Sequence, residues 1–339
     1  MSEEIETKNS LIDIDILESN KKNQQKKLCK IILITSIIII IVIIAISLII
    51  YFVTKNSDKS NEDLEIQTTS LGAELTSIKY KGIERLHDGK TFWNQHSPIL
   101  FPIVGKLRYD STIINGKEYS IPKHGFAMNM NFEKIDEHSY KLISNSETLE
   151  QFPFNFELYV NYKVKNNILY FNYKVINKTP NENMLFGIGG HPGFKCDYYK
   201  ENSEVEFEVE ENDIKIIPVN ITLGLMSDEL IDGNTVIKNK KILEIKKNSF
   251  ENDAIVFTDM KSKSVILKED KKKILKFNFE DFKYLGIWSA IGEAPYVCFE
   301  PWYNTPDYVN SSKEFSEKKD IIQLKPNEEF NVGFSVEFF

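Results

Sequence analysis

The amino-acid sequence predicts an all-β domain, a sandwich or barrel, preceded by one transmembrane helix. Three observations lead there. After residue 63 apolar residues recur mostly with a period of two, as strands with one wet face require. Aromatic and β-branched residues are abundant, with 23 Phe and 15 Tyr in 339 residues, and such side chains suit a pleated, half-buried surface. Finally, Ile31 to Val53, IILITSIIIIIVIIAISLIIYFV, is 23 residues without a charge, long enough to cross hydrocarbon as a helix.

The N-terminal elements follow in order. Residues 1–30 are polar, charged and poor in aromatics, and read as a disordered cytoplasmic tail. Residues 31–53 read as a transmembrane helix in the lipid bilayer. A cleaved signal peptide is the competing reading, disfavoured by the length of the apolar run, the 30 residues before it and the lack of a small-x-small cleavage site. Lys21, Lys22, Lys26, Lys27 and Lys30 precede the run, against Lys55 and Lys59 just after it. The positive-inside rule then places the N-terminus in the cytoplasm and the C-terminal domain on the exoplasmic (lumenal or extracellular) side. Cys29, beside the span, is a palmitoylation candidate, although an inert thiol is the simpler reading. Residues 54–63, TKNSDKSNED, form a polar linker.

Residues 64–339 show no Pro/Gly/Ser-rich break and read as one domain. In SEVEFEVEEN, Val205, Phe207 and Val209 alternate with Glu204, Glu206 and Glu208, the pattern of a half-buried strand. FELYVNYKVK and ILYFNYKVIN read as a hairpin joined at Asn166-Asn167. DAIVFTD, SKSVILKE, KILKFNFE and EFNVGFSVEFF continue the series. Outside the span, three turns of 3.6-residue periodicity are hard to find. Sequons at Asn177, Asn220 and Asn310 fit an exoplasmic domain, but an Asn-rich chain carries that many by chance.

Composition excludes some functions. The formal charge of −8 and the lack of a basic stripe argue against nucleic acid. No Gly-rich phosphate loop follows a strand, so nothing supports nucleotide binding. The cysteines, Cys29, Cys196 and Cys298, are too few for a disulfide scaffold and show no metal spacing, and none of the five histidines has metal-ligand spacing to another. No cofactor is implied. Whether Cys196 and Cys298 are free or bridged stays open.

Two histidines have distinctive settings. His191 stands in GIGGHPGF, where two glycines allow close backbone approach and Pro192 stiffens the far side; ordinary turn chemistry is the plainer reading of the same residues. His124 lies in IPKHGFA, a tight loop between Pro122 and Gly125. His87, His96 and His138 have polar neighbours and read as surface residues. In VCFEPW, alternation puts Cys298, Glu300 and Trp302 on one strand face and Val297 and Phe299 on the other. Glu300 is then either an edge carboxylate facing water or a base whose pKa is raised beside an aromatic wall.

Taken together, FWNQHSPILFPIVGKL (92–107), IPKHGFA (121–127), GGHPGF (189–194), FENDAIVF (250–257) and LGIWSAIGEAPYVCFEPWYNTPD (285–307) resemble the aldose 1-epimerase (galactose mutarotase-like) superfamily, in its LacX-like branch. The five stretches stand in the family's order between about Leu64 and Phe339. The resemblance implies a large antiparallel β-supersandwich and an isomerase that interconverts the anomers of a monosaccharide, an aldohexose, without metal or nucleotide. By resemblance Glu300 is the general base toward the C1 hydroxyl, and His191 the general acid toward the ring oxygen. His124 and Asp253 then hydrogen-bond the sugar, with Trp288 and Trp302 as candidate aromatic walls; Trp288 could equally be core.

Two departures bear on this. Met128 stands where many relatives have the Arg of HGFAR, and Lys106, with Arg108 two residues on, stands where many have an Arg. Lysine lacks the guanidinium fork, so sugar positioning is expected to be looser or shared with Arg108. These losses and the exoplasmic location point to a free, neutral hexose. The alternatives are a non-catalytic carbohydrate-binding or sensing module on the same fold, and a hexose-6-phosphate 1-epimerase.

Overall fold

The computed structural model describes the backbone of residues 2–61, 63–200 and 202–339, and the side chains of these residues except at 2–20, 29 and 52–61. The chain divides into two compact units, Met1–Lys59 and Ser60–Phe339.

The first unit is helical. Ser2–Asn61 runs as one 60-residue helix, where the sequence suggests a disordered tail, a span and a linker. Residues 2–30 and 54–61 contain neither Pro nor Gly, so nothing in them stops a helix that the apolar run propagates. Lys21–Tyr51 is long and apolar enough to cross a membrane. The side chains of Cys29, Phe52 and Val53 lie outside the described residues.

The second unit is built on two large antiparallel sheets. The ten-stranded sheet runs, in spatial order, through Ile237–Lys238, Ile242–Ile245, Ser203–Phe207, Ser264–Glu269, Lys272–Asn278, Glu329–Phe338, Ile168–Asn177, Phe156–Lys165, Ser139–Ile143 and Glu133–Asp136. The other sheet is ordered Ile231–Asp232, Lys215–Ile217, Ile255–Thr258, Tyr284–Trp288, Tyr296–Trp302, Gly189–Gly190 and Ile99–Leu100, with Gly193–Lys195 also pairing to Tyr296–Trp302. Period-two patterning explains the packing. Phe277 of the first sheet meets Phe194 and Phe299 of the second, stacked on Phe299 at 5.4 Å between ring centroids, and Phe334 packs beside Phe277. This is the sandwich the alternation predicts.

The hairpin Phe156–Asn177 forms as expected, with Asn166 in the left-handed region at φ 57°. Two local readings are corrected. The strand beginning at Ser203 stops at Phe207, and Val209 is 42% exposed rather than inward-facing; there the chain bends toward Ser262, whose Oγ accepts the Val209 N–H. Asn177 is fully buried, and its Nδ2 donates to the carbonyls of Glu182 and Leu324, so in the fold this sequon presents no acceptor for a glycan.

Position in the sandwich decides where chemistry can occur. Val297 and Phe299 belong to the main core. Their alternates Cys298, Glu300 and Trp302 therefore lie on the opposite face of the smaller sheet, which residues from the segments 93–98, 105–106, 123–128 and 219–226 roof over.

Candidate active site

Glu300 is held in the middle of Tyr296–Trp302, every residue of which is buried. Its cross-strand partner is Gly286, and a Cβ there would lie 3.1 Å from Glu300 Cβ and 3.2 Å from Trp302 Cζ2. Glycine thus leaves the space into which the carboxylate and the indole fold. The strand continues through Pro301, which pairs with Leu285, so Trp302 keeps the face that alternation assigns it.

His191 comes from the gap between two short strands that both pair with the Glu300 strand, Gly189 opposite Trp302 and Gly193 opposite Cys298. The interruption lets the imidazole leave the sheet toward Glu300. Its Nε2 lies 3.1 Å from Glu300 Oε2, and both side chains are almost fully buried. Trp93 lies against the imidazole at 4.7 Å between centroids, and Trp288 meets it edge-on at 5.7 Å. His191 Nδ1 and Trp302 Nε1 are buried without a hydrogen-bond partner, as polar atoms reserved for a ligand often are.

Burial governs the electrostatics. It lifts the Glu300 carboxyl from its ordinary 4.5 to about 8; Asp253 adds to the rise, while Lys123 and the nearby Trp302 indole oppose it. It pushes the His191 imidazole down to about 3, with Lys123 acting in the same sense, while a loose approach to its own backbone carbonyl acts the other way. Both shifts disfavour charge in a dry site. Between these limits the contacting pair holds one proton in total, and its two titration steps belong to the pair.

His124 adopts a left-handed conformation, φ 66°, ahead of Gly125 at φ 80°. A Cβ on Gly125 would fall 2.0 Å from the Phe101 carbonyl oxygen, so only glycine permits this turn. His124 Nδ1 accepts the Gly105 N–H at 3.1 Å, which leaves the ring proton on Nε2 as a donor. Burial and the neighbouring His191 and Lys123 hold its pKa well below the ordinary value, so it is a neutral donor at pH 7.

These groups line one cavity of about 360 Å³, the size of a small-molecule site. It brings together Lys106, His124, Asp253, Trp288 and Trp302 with His191 and Glu300. Lys106 Nζ stands 3.4 Å from Asp110 Oδ1 at the cavity edge. Arg108 is not among the lining residues: its guanidinium donates to the Ser311 carbonyl at 3.1 Å and lies 4.9 Å over the Tyr109 ring. Lys106 therefore lines the cavity while Arg108 stands outside it. Met128 lines the wall, with Gln95 Nε2 2.9 Å from its sulfur.

Trp93, Gln95 and Lys123, not singled out from sequence, also stand in the cavity wall. Each lies inside or beside a stretch already notable, FWNQHSP or KHGFA. His87 is corrected from surface to interior. It is 3% exposed, its ring packs 4.1 Å from Tyr296, and its Nε2 is 2.9 Å from the Trp93 carbonyl. It braces the indole that covers His191. Cys196 and Cys298 are both buried free thiols. Among the described residues no group of three His, Cys, Asp or Glu could hold a metal.

A two-sheet sandwich with a buried carboxyl–imidazole pair in a tryptophan-walled cavity defines a candidate site for acid–base chemistry on a small polar molecule. Residues 56–336 match the sequence profile of the aldose 1-epimerase family, and the chain belongs to that family. It is 31% identical over 281 residues to the plasmid-encoded protein LacX of Lactococcus lactis, covering 78% of this chain and 93% of that protein. Among solved structures it resembles a galactose mutarotase related enzyme from Lactobacillus acidophilus, with a TM-score of 0.72 and 30% identity over 81% of this chain and 94% of that one. A galactose mutarotase-like protein from Lactobacillus casei shares the fold, with a TM-score of 0.76, 24% identity and coverage of 82% and 97%. Family and fold support a mutarotase-type isomerase acting on a sugar.

Proposed function

We propose that this chain is an aldose 1-epimerase for a free, neutral hexose, anchored in a bilayer by its N-terminal helix. The observation that carries the reading is the 3.1 Å contact between His191 Nε2 and Glu300 Oε2 inside the cavity. A sugar entering the cavity opens that contact and the pair's one proton passes from Glu300 to His191. The Glu300 carboxylate then takes the C1 hydroxyl proton as the C1–O5 bond breaks, and His191 delivers its proton to O5. The aldehyde rotates about C1–C2, and closure on the other face returns both protons. The pair ends as it began, and no group outside it gains or loses a proton.

The same residues suit the substrate. His124 offers a neutral donor and Asp253 an acceptor, while Trp288 and Trp302 supply apolar faces. Arg108 is tied outside the cavity and Met128 lines it, which favours a neutral sugar over a sugar phosphate, since phosphate recognition is best served by guanidinium forks. The full chain in detergent is expected to accelerate interconversion of the anomers of some hexose, read by proton NMR over a panel of sugars; no acceleration with any of them rules the activity out.

The five lysines before the apolar run support an exoplasmic domain. In sealed, right-side-out vesicles the domain is therefore expected to be digested by added protease, and complete protection would reverse the orientation.

A further inference from the structure

The outer face of the ten-stranded sheet carries a second depression that the acid–base chemistry does not use. Phe171, Phe277 and Phe334 point into the sandwich, so the residues alternating with them face outward, on the side opposite Glu300. There a groove of about 700 Å³, against about 360 Å³ for the catalytic cavity, runs across the strands from Ser139–Ile143 to Lys272–Asn278. Five strands in a row make it about 19 Å long at the usual interstrand spacing.

Three cross-strand rows form its floor. The middle one is Ser139–Asn161–Asn172–Gly333, and Gly333, with no side chain, deepens it. Flanking it are the rows Tyr159–Lys174–Asn331 and Tyr170–Ser335–Asn278, so each side carries one tyrosine ring.

Of the charged groups here, all but Glu280 are already engaged. Lys174 lies 4.5 Å over the Tyr159 ring, Asp281 accepts the Gly333 N–H at 3.0 Å, and Asp136 accepts the His138 N–H at 3.1 Å. The amides are less so. Asn278 and Asn331 each use an N–H within the sheet, toward Ser335 and Glu329 at 3.2 Å. Asn161 does the same toward Ser139. All three keep their carbonyl oxygens for a ligand. Open amide acceptors, hydroxyls and the uncovered Tyr170 ring along an extended trough suit a chain of vicinal diols with apolar C–H faces. An acidic polymer would face Asp136, Glu280 and Asp281. A protein-docking patch would need an apolar centre, and the large hydrophobic exposed here is Ile135 at one end, 52% exposed.

We propose that this face binds a short neutral oligosaccharide, independently of the catalytic cavity. The test is calorimetric titration of the full chain in detergent with maltotetraose, cellotetraose, mannotetraose and chitotetraose, repeated on Tyr170→Ala and Asn172→Ala. At least one tetrasaccharide is expected to saturate the wild type. Each substitution, placed on an outward-facing position that leaves the core intact, is expected to weaken it about tenfold or more, the worth of one stacked ring or buried polar contact, with the anomerisation rate unchanged. The proposal is overturned if no probe saturates at millimolar concentration. It is equally overturned if binding survives both substitutions and is displaced by a free hexose, which assigns it to the catalytic cavity. A dimer in sedimentation that Asn172→Arg dissociates would assign the face to a second copy of the chain instead.

Discussion

Glu300→Gln is expected to slow anomerisation by about 10³-fold with KM little changed, and His191→Ala to slow it by a similar factor, the usual worth of a positioned acid or base. Glutamine fills the same space beside Gly286 and can still hydrogen-bond His191, so the fold and the sugar pocket remain while proton transfer is lost. The two residues act as one unit sharing one proton, so the double variant should be no slower than the worse single one. Exchange NMR between the two anomeric C1 protons, with the uncatalysed rate subtracted, measures this directly. A Glu300→Gln enzyme that keeps more than a tenth of the wild-type rate would remove Glu300 as the base. The wild-type rate should also fall above about pH 8, where the pair loses its proton.

Much of the fold is legible in the sequence because a half-buried strand writes its alternation directly into residue order. Phe156–Lys165 and Ile168–Asn177 are readable for that reason. The candidate site is less so. Glu300 and His191 lie 109 positions apart (300 − 191), and only pairing of both segments along one strand brings them to 3.1 Å. Family resemblance selects the two residues, but neither local stretch does. Lys106 and Arg108 look equivalent at a spacing of two, yet the backbone there is irregular rather than a strand, so the spacing fixes no common face. His87 misleads because its neighbour Asp88 is exposed while the chain at Leu86 bridges to Phe194 and turns the imidazole inward. The outward rows around Asn172 read as an ordinary wet face. Their juxtaposition across five strands is a property of register, which no single strand shows.

The same burial that makes Glu300 basic should make the domain less stable as pH rises from 6.5 to 8. The sign follows from proton counts. Glu300 has a folded pKa of about 8 against an ordinary 4.5, so between these values the folded state holds a proton that the unfolded state lacks, and stability falls with rising pH. His191 has a folded pKa of about 3 against 6.5, so from 3 to 6.5 the unfolded state holds the extra proton and stability rises. The two slopes cancel between 4.5 and 6.5. Above 6.5 only the Glu300 slope remains, at about 1.4 kcal/mol per pH unit, or about 2 kcal/mol by pH 8. Denaturant unfolding of the domain followed by tryptophan fluorescence at pH 5.5, 7 and 8.5 should show this loss. In Glu300→Gln the alkaline limb should vanish and the variant should exceed the wild type in stability at pH 8.5. An unchanged slope in the variant would mean that the carboxyl does not titrate there and is not the strong base the reaction needs. The loss of activity and the gain of alkaline stability share one cause, because the apolar strand that raises the carboxyl's proton affinity also makes its ionised form costly to bury.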